Sequence, residues 1–223
     1  MGPIEFAGER FAITDVRLLA PILPSKVIAV GRNYAAHAAE MGNDVPPRPL
    51  LFLKPSTSVI GTFDSIRLPP DSEQVEHEAE LAVIIGKVAK DVSPEQAMDV
   101  IFGYTCGNDV TARDQQREDV QFTRSKGYDS FCPIGPWIET NFDPSAVRVR
   151  CRVNDTVTQD GNTEDMIFDV PTIISFMSQV MTLVPGDVVL TGTPEGVSKI
   201  SDGDVVTVSI DGIGDLVNPV RAK

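Results

Sequence analysis

The chain is short of cysteine, of basic residues and of long apolar runs, and each shortage excludes something. Its 223 residues include three cysteines, Cys106, Cys132 and Cys151, an odd number with no CxxC spacing. That count does not suit a disulfide framework, so the three are expected as small packing residues of a reduced, cytoplasmic protein. Lysine and arginine total 19 against 32 aspartates and glutamates, a net charge of −13. A surface this acidic repels nucleic-acid backbones and anionic membranes, so neither is expected as a partner. A small anionic substrate remains open if a metal and a few cations are focused in one cleft. No apolar run approaches transmembrane length, since Ile173 to Val184 is broken by Ser175, Ser178 and Gln179. The N-terminus lacks the basic start and apolar core of a signal peptide. No repeat, low-complexity tract or linker divides the chain.

What is present is the balance of a globular protein with a sizeable core, 42% hydrophobic and 23% charged. Residues 1–24 read as a lead-in with one strand around Val16-Arg17-Leu18-Leu19, closed by Pro21 and Pro24. Residues 25–223 read as one domain of the α+β class, mainly β, with antiparallel and mixed strands and a few short helices. Runs of strand character at Lys26–Gly31, Leu50–Leu53, Ile101–Val110, Val147–Val153 and Asp187–Leu190 predict strands. Ala35–Met41 predicts a short helix ended by Gly42. Ser93-Pro94-Glu95-Gln96 has the N-cap, N1 proline and acidic first turn of another. Pro171–Leu183 predicts the longest helix, with Ile173, Ile174, Met177, Val180 and Met181 as its buried stripe. Arg124-Ser125-Lys126-Gly127 reads as a basic loop, and Val205–Ile210 with Asp211-Gly212 as a terminal hairpin.

The chemistry centres on His77-Glu78-Ala79-Glu80-Leu81-Ala82-Val83-Ile84-Ile85. Read as a strand, it puts Glu78 and Glu80 on one face. An arbitrary Glu-x-Glu is more often a solvated edge, but this one runs into an apolar stretch that suits a buried strand. A buried carboxylate pair needs a cation, and hard oxygen ligands suit Mg²⁺, Mn²⁺ or Ca²⁺. Asp109 ends the Ile101–Val110 strand, where functional carboxylates often sit. His37 and Glu40, three apart, share a helix face; taken alone, that spacing is more often a surface histidine with a salt partner.

Five segments occur together and in order: Gly31-Arg32-Asn33-Tyr34 with His37 and Glu40, His77 to Val83, Gly107-Asn108-Asp109-Val110-Thr111-Ala112-Arg113-Asp114, Ser125-Lys126-Gly127-Tyr128-Asp129, and Leu190-Thr191-Gly192-Thr193-Pro194-Glu195-Gly196-Val197. Together they resemble the fumarylacetoacetate hydrolase family from about residue 25 onward, and its compact single-domain branch in particular. That resemblance implies a mixed β-roll or sandwich, a divalent metal (Mg²⁺ or Mn²⁺, with Ca²⁺ as an alternative) and a homodimer. It also implies Glu78, Glu80 and Asp109 as metal ligands, and Lys126 with the His37/Glu40 dyad on a mobile lid as catalytic residues. Gln116, rather than Gln115, and Thr193, with Thr191 left open, would contact substrate. His77 would neighbour the metal, Arg113 would pair with nearby acids, and Tyr34 and Lys54 would be structural or at the substrate rim. The substrate implied is a small 2-oxo or diketo acid. The expected reactions are acylpyruvate hydrolysis and oxaloacetate decarboxylation, which share a pyruvate enolate. The alternative is a 2-hydroxyhepta-2,4-diene-1,7-dioate isomerase/decarboxylase. A remoter rival, a non-catalytic β domain binding Ca²⁺ or carbohydrate through surface acids, requires these residues to be scattered.

Overall fold

β-Branched and apolar runs become strands where their composition favours a half- or fully buried pleated surface. The computed structural model describes Ala12 and residues 15–222. Its strands are β1 (Val27–Gly31), β2 (Leu50–Lys54), β3 (Val59–Ile60), β4 (Ile66–Leu68), β5 (Val75–Glu76), β6 (Ala79–Ile85), β7 (Ile101–Asn108), β8 (Thr111–Ala112), β9 (Cys132–Glu139), β10 (Arg148–Val153), β11 (Thr156–Asn162), β12 (Val188–Leu190), β13 (Val205–Ile210) and β14 (Gly214–Ala222). The helices are α1 (Ala35–Glu40), α2 (Pro94–Ala97), α3 (Arg113–Glu118), α4 (Thr123–Gly127) and α5 (Val170–Val180).

A seven-stranded mixed sheet runs β2-β1-β12-β6-β7-β9-β3, and a five-stranded sheet runs β11-β10-β13-β14-β4. The α+β, mainly β class stands, with the few helices short. Strand β6 is buried on both faces. Leu81, Val83 and Ile85 pack with Tyr104, Cys106, Val149, Val208 and Leu216 between the sheets, while Ala82 and Ile84 join Val27, Ala29, Val188 and Leu190 on the far side. By alternation Glu80 faces that far side.

Register then assembles a site at one end of the large sheet. Ala79 pairs with Asn108, so the chain positions just beyond the pair, Glu78 and Asp109, come level, and Asp109 N–H donates to Glu78 O at 2.9 Å. The parallel pair β1/β12 ends with Gly31-Arg32-Asn33 beside Thr191-Gly192-Thr193. Buried Asn33 ties three segments: its Nδ2 donates to Thr191 O (2.7 Å) and Phe168 O (3.0 Å), and its Oδ1 accepts from Phe168 N–H (2.8 Å). Gly192 must be glycine there, because its φ is +100° and a Cβ would lie 2.6 Å from Asn33 Cβ.

The structure departs from the sequence expectations in four places. Val16–Leu19 forms no strand; with Pro21 and Pro24 removing donors just beyond it, its end packs against Gly61, where a Cβ would come 2.6 Å from Leu19 C. Residues 124–127 belong to helix α4, not a loop. Glu78 precedes strand β6 on an extended link rather than lying within it. Helix α5 starts one residue earlier, N-capped by Asp169, and Val180 is 57% exposed because the buried stripe ends at Ser178. All three cysteines are buried free thiols, and burial pushes those of Cys132 and Cys151 up to about 12, which suits packing. Among the described residues no helix is long and apolar enough to cross a membrane.

Replacing Asn33 by Ala orphans one buried N–H and two carbonyls at once. A loss of roughly 2–4 kcal/mol in urea unfolding is expected, since each unsatisfied buried group costs about 1–3 kcal/mol and such losses do not add fully. A change within about 0.5 kcal/mol of wild type, the range of ordinary surface substitutions, would show that the tie bears no load.

Candidate active site

Three carboxylates meet at the sheet end. Glu78, Glu80 and Asp109 offer oxygens that all lie within 4.8 Å of one another, and none of the three residues is more than 4% exposed. Glu78 is held by its N–H to Asn108 Oδ1 at 3.0 Å, and Glu80 Oε2 accepts from Gly192 N–H at 2.6 Å. Cations surround two of the three. Lys126 Nζ donates to Glu78 (2.8 Å), Asp109 (2.5 Å) and Thr111 Oγ1 (2.9 Å). Arg113 bridges Glu76 (2.8 Å) and Glu78 (2.5 Å), and also donates to Gln116 Oε1 at 2.5 Å. Lys54, fully buried, donates to Asp109 Oδ1 at 2.5 Å and Val110 O at 3.2 Å.

The electrostatics follow from who has a partner. Burial alone would raise the Glu78 carboxyl, but Lys126 and Arg113 hold it well below the usual carboxylate range. Burial, reinforced by Asp109 and Glu78, pushes Glu80 well above that range. Burial works against the Lys126 ammonium, yet Asp109 and Glu78 raise it and keep it charged. Glu80 makes no ion pair with any described side chain, so the cluster has a place for one more cation. Three hard oxygen donors packed together fit Mg²⁺, Mn²⁺ or Ca²⁺.

The cluster floors a cavity of about 430 Å³. His37 and Glu40 of α1 line it together, with His37 Nδ1 3.3 Å from Glu40 Oε2. Glu40 is gripped in turn by Gly196 N–H, at 3.0 and 3.2 Å to its two oxygens. Gly196 has φ +93°, and a Cβ there would sit 2.0 Å from Thr158 O, so only glycine fits. Gln116 lines the cavity, whereas Gln115 is spent on Asp71 O and the Tyr128 hydroxyl, each at 3.0 Å. Thr193 lines the cavity too, while Thr191 bonds Leu81 O at 2.9 Å inside the sheet. The Thr193 hydroxyl donates to Ala79 O and accepts from Gln159 Nε2, both at 2.8 Å, so its hydrogen is already committed. His77 bonds Gln159, Ser198 and Thr158 and stands outside the carboxylate cluster.

All eight expected site residues, His37, Glu40, Glu78, Glu80, Asp109, Gln116, Lys126 and Thr193, therefore line one cavity. Lys54, expected to be structural or at the substrate rim, instead pairs with Asp109, and Gly196, expected only as part of a motif, holds Glu40. Gln159 was not singled out by the sequence, because its role comes from partners far along the chain.

Residues 26–221 match the family model for the fumarylacetoacetate (FAA) hydrolase C-terminal domain. A Mycobacterium smegmatis structure named 5-carboxymethyl-2-hydroxymuconate delta-isomerase superposes with a TM-score of 0.91 at 56% identity, covering 98% of this chain and 87% of that one. Fumarylpyruvate hydrolase from Pseudomonas aeruginosa, solved with Mn²⁺ and pyruvate, gives a TM-score of 0.85 at 34% identity, covering 91% of each chain. A mitochondrial oxaloacetate decarboxylase of Dictyostelium discoideum is 45% identical over 196 residues, covering 84% of this chain and 89% of that protein.

Glu80→Gln supplies a check on the cluster. It removes the one carboxylate without a cationic partner, so metal-stripped protein should unfold at a higher temperature than wild type. Mn²⁺ should raise the melting temperature of wild type and do so much less for the variant. Calorimetry showing equal Mn²⁺ stabilisation of both would rule out Glu80 as a ligand.

Proposed function

This chain belongs to the fumarylacetoacetate hydrolase family, and on that premise we propose that it cleaves a C–C bond in a 2-oxo acid with a divalent metal. Acylpyruvate hydrolysis and oxaloacetate decarboxylation are the reactions it suits. The observation that carries this reading is that a His–Glu pair, a buried lysine and three buried carboxylates face one cavity. Glu78, Glu80 and Asp109 would hold Mg²⁺ or Mn²⁺, with Ca²⁺ as an alternative. Bound there, the ion supplies Lewis-acid stabilisation for negative charge growing on a 2-oxo group.

The chain's own residues account for the rest. Lys126, kept charged by Asp109 and Glu78, adds a positive group beside the oxygen on which enolate charge builds. Arg113 fixes Glu78 and turns Gln116 toward the cavity wall. Thr193, its hydrogen committed to Ala79 O, offers a substrate only a lone pair, so it serves to shape the loop or to accept. In hydrolysis, His37 takes a proton from water, and the hydroxide adds to the distal carbonyl. The bond from that carbon to C3 then breaks, giving a carboxylic acid and pyruvate enolate, which is protonated at C3. Glu40 orients His37 and stabilises its charged form. In decarboxylation the same enolate forms as CO₂ leaves, with no attacking water.

The isomerase named among the relatives keeps a second reading open, a keto–enol or double-bond isomerisation of a hydroxydienedioate at the same site. The His37/Glu40 pair favours hydrolysis, because isomerisation alone needs no activated water. The reduced cysteines suit a cytoplasmic enzyme, and a homodimer is expected, with light scattering near twice the 24.1 kDa chain mass. A monomer at micromolar concentration would remove the dimer from the proposal.

His37→Ala separates the reactions. Acetylpyruvate hydrolysis should fall by about 10²–10⁴-fold, the usual cost of a lost general base. Oxaloacetate decarboxylation should fall far less, while Lys126→Ala should harm both. Equal losses in His37→Ala would mean that the dyad acts on a shared step. No turnover of oxaloacetate, acetylpyruvate, fumarylpyruvate or 2-hydroxyhepta-2,4-diene-1,7-dioate with Mg²⁺ or Mn²⁺ would remove the enzyme assignment.

A further inference from the structure

The segment between Glu78 and Glu80 and the loop that holds Glu40 meet through one side chain of the five-stranded sheet. Gln159 of β11 is 1% exposed and does not line the cavity. Its Oε1 accepts from Ala79 N–H at 2.9 Å and from His77 Nδ1 at 3.0 Å. Its Nε2 donates to Thr193 Oγ1 at 2.8 Å and to Pro194 O at 2.7 Å. The amide therefore uses both donors and both acceptor lone pairs. Backbone fixes its orientation, since Ala79 N–H can only donate and Pro194 O can only accept. His77 Nδ1 must then carry the ring proton, which leaves Nε2 to accept from the Ser198 hydroxyl at 2.8 Å.

A bulge in β11 aims this side chain. Cys151 of β10 faces Gln159 and Arg152 faces Val157, so Thr158 is the extra residue, with no facing partner in β10. In a regular strand Thr158 and Gln159 would point to opposite faces. Here both reach one imidazole: Thr158 Oγ1 lies 3.0 Å from His77 Nε2, and Gln159 Oε1 lies 3.0 Å from Nδ1. The same stretch of β11 seats the backbone of the loop. A Cβ at Gly161 would lie 2.5 Å from Pro194 Cβ, and one at Gly196 would lie 2.0 Å from Thr158 O. Just beyond this seat Gly196 N–H holds Glu40, whose Oε2 lies 3.3 Å from His37 Nδ1.

We propose that Gln159 is a positioning residue: it sets the distance between the Glu78–Glu80 segment and the Thr193–Gly196 loop, and through Glu40 it places His37. It touches no substrate and moves no proton. The role rests on the reading that the His37/Glu40 pair activates water. The start of the loop is held separately, Thr191 O by Asn33 and Gly192 N–H by Glu80. Pro194 has no N–H to offer, and Gln159 holds its carbonyl. Gln159 thus governs the loop end that meets the dyad and leaves the carboxylates where they are. A shift of about 1 Å set off away from the reacting atoms can cost about 10²-fold in rate, so such a tie matters to catalysis.

Gln159→Glu tests this, because it keeps the acceptors for Ala79 and His77 and removes the donors to Thr193 and Pro194. Gln159→Met, neutral and of similar length, replaces it if the buried carboxylate prevents folding. Hydrogen exchange read by mass spectrometry, with and without Mn²⁺, should show segments 31–42 and 192–198 exchanging about tenfold faster than in wild type, with β6 and β7 unchanged. The kcat for acetylpyruvate hydrolysis should fall about tenfold or more, while its KM, the Mn²⁺ affinity and oxaloacetate decarboxylation each change by less than about threefold. A merely structural role would instead speed exchange across both sheets and lower the two reactions together. That pattern would overturn the proposal, as would unmoved exchange in segment 31–42 or a wild-type segment already exchanging without protection. If wild type turns over none of these acids, the proposed chemistry fails, and the exchange pattern alone then decides the role of Gln159.

Discussion

The site depends on keeping three buried carboxylates together. Two unit charges 4 Å apart repel by about 4 kcal/mol at an effective dielectric near 20, so the cluster cannot stand without counter-charge. Lys126 and Lys54 face Asp109, while Lys126 and Arg113 face Glu78. Glu80 receives one backbone N–H and no cation, and so its carboxyl is the one pushed upward. That asymmetry turns a costly cluster into a receptor for one further positive charge. It also explains why so acidic a protein concentrates its buried bases on one cavity floor.

A second constraint joins the cluster to the dyad. The parallel contact of β1 with β12 carries the chain into two adjacent loops, one leading to His37 and Glu40 and the other to Thr193 and Gly196. Asn33 locks the loops to each other and to the segment before α5. Gly192 lets them approach to a distance no Cβ would allow, and Gly196 does the same for the second loop against Thr158 of β11. Gly196 then holds the Glu40 carboxylate that pairs with His37, so this pair is positioned by backbone contacts rather than by its own short helix. A six-residue helix is too short to be stable alone, which makes this external anchoring necessary.

Much of the fold was legible because strand composition is local. Val27–Gly31, Ala79–Ile85 and Ile101–Asn108 announce themselves by runs of strand-forming residues, and the Ser93 cap with Pro94 behind it announces α2. The errors fall where local signals are weak or where neighbours decide. Val16–Leu19 has strand-like residues but no partner edge that its prolines could join. Arg124–Gly127 reads as loop from its polarity, yet it coils because packing against β2 and β8 places Lys126 inward. Glu78 reaches Glu80 from an extended link, so same-face spacing gave the right neighbours without the right element.

The sequence by itself determined the acid pair, the strand that carries Glu80, Asp109 at a strand end, the His37/Glu40 spacing and the motif order. These depend on residues within a few positions of one another, and a linear pattern records them. Only tertiary structure decided that Lys54 pairs with Asp109, 55 positions away, that Gln159 engages Thr193, and that Gly196 grips Glu40, 156 positions away. Which charge a side chain meets is set by sheet register and loop approach, and no spacing along the chain encodes those distances.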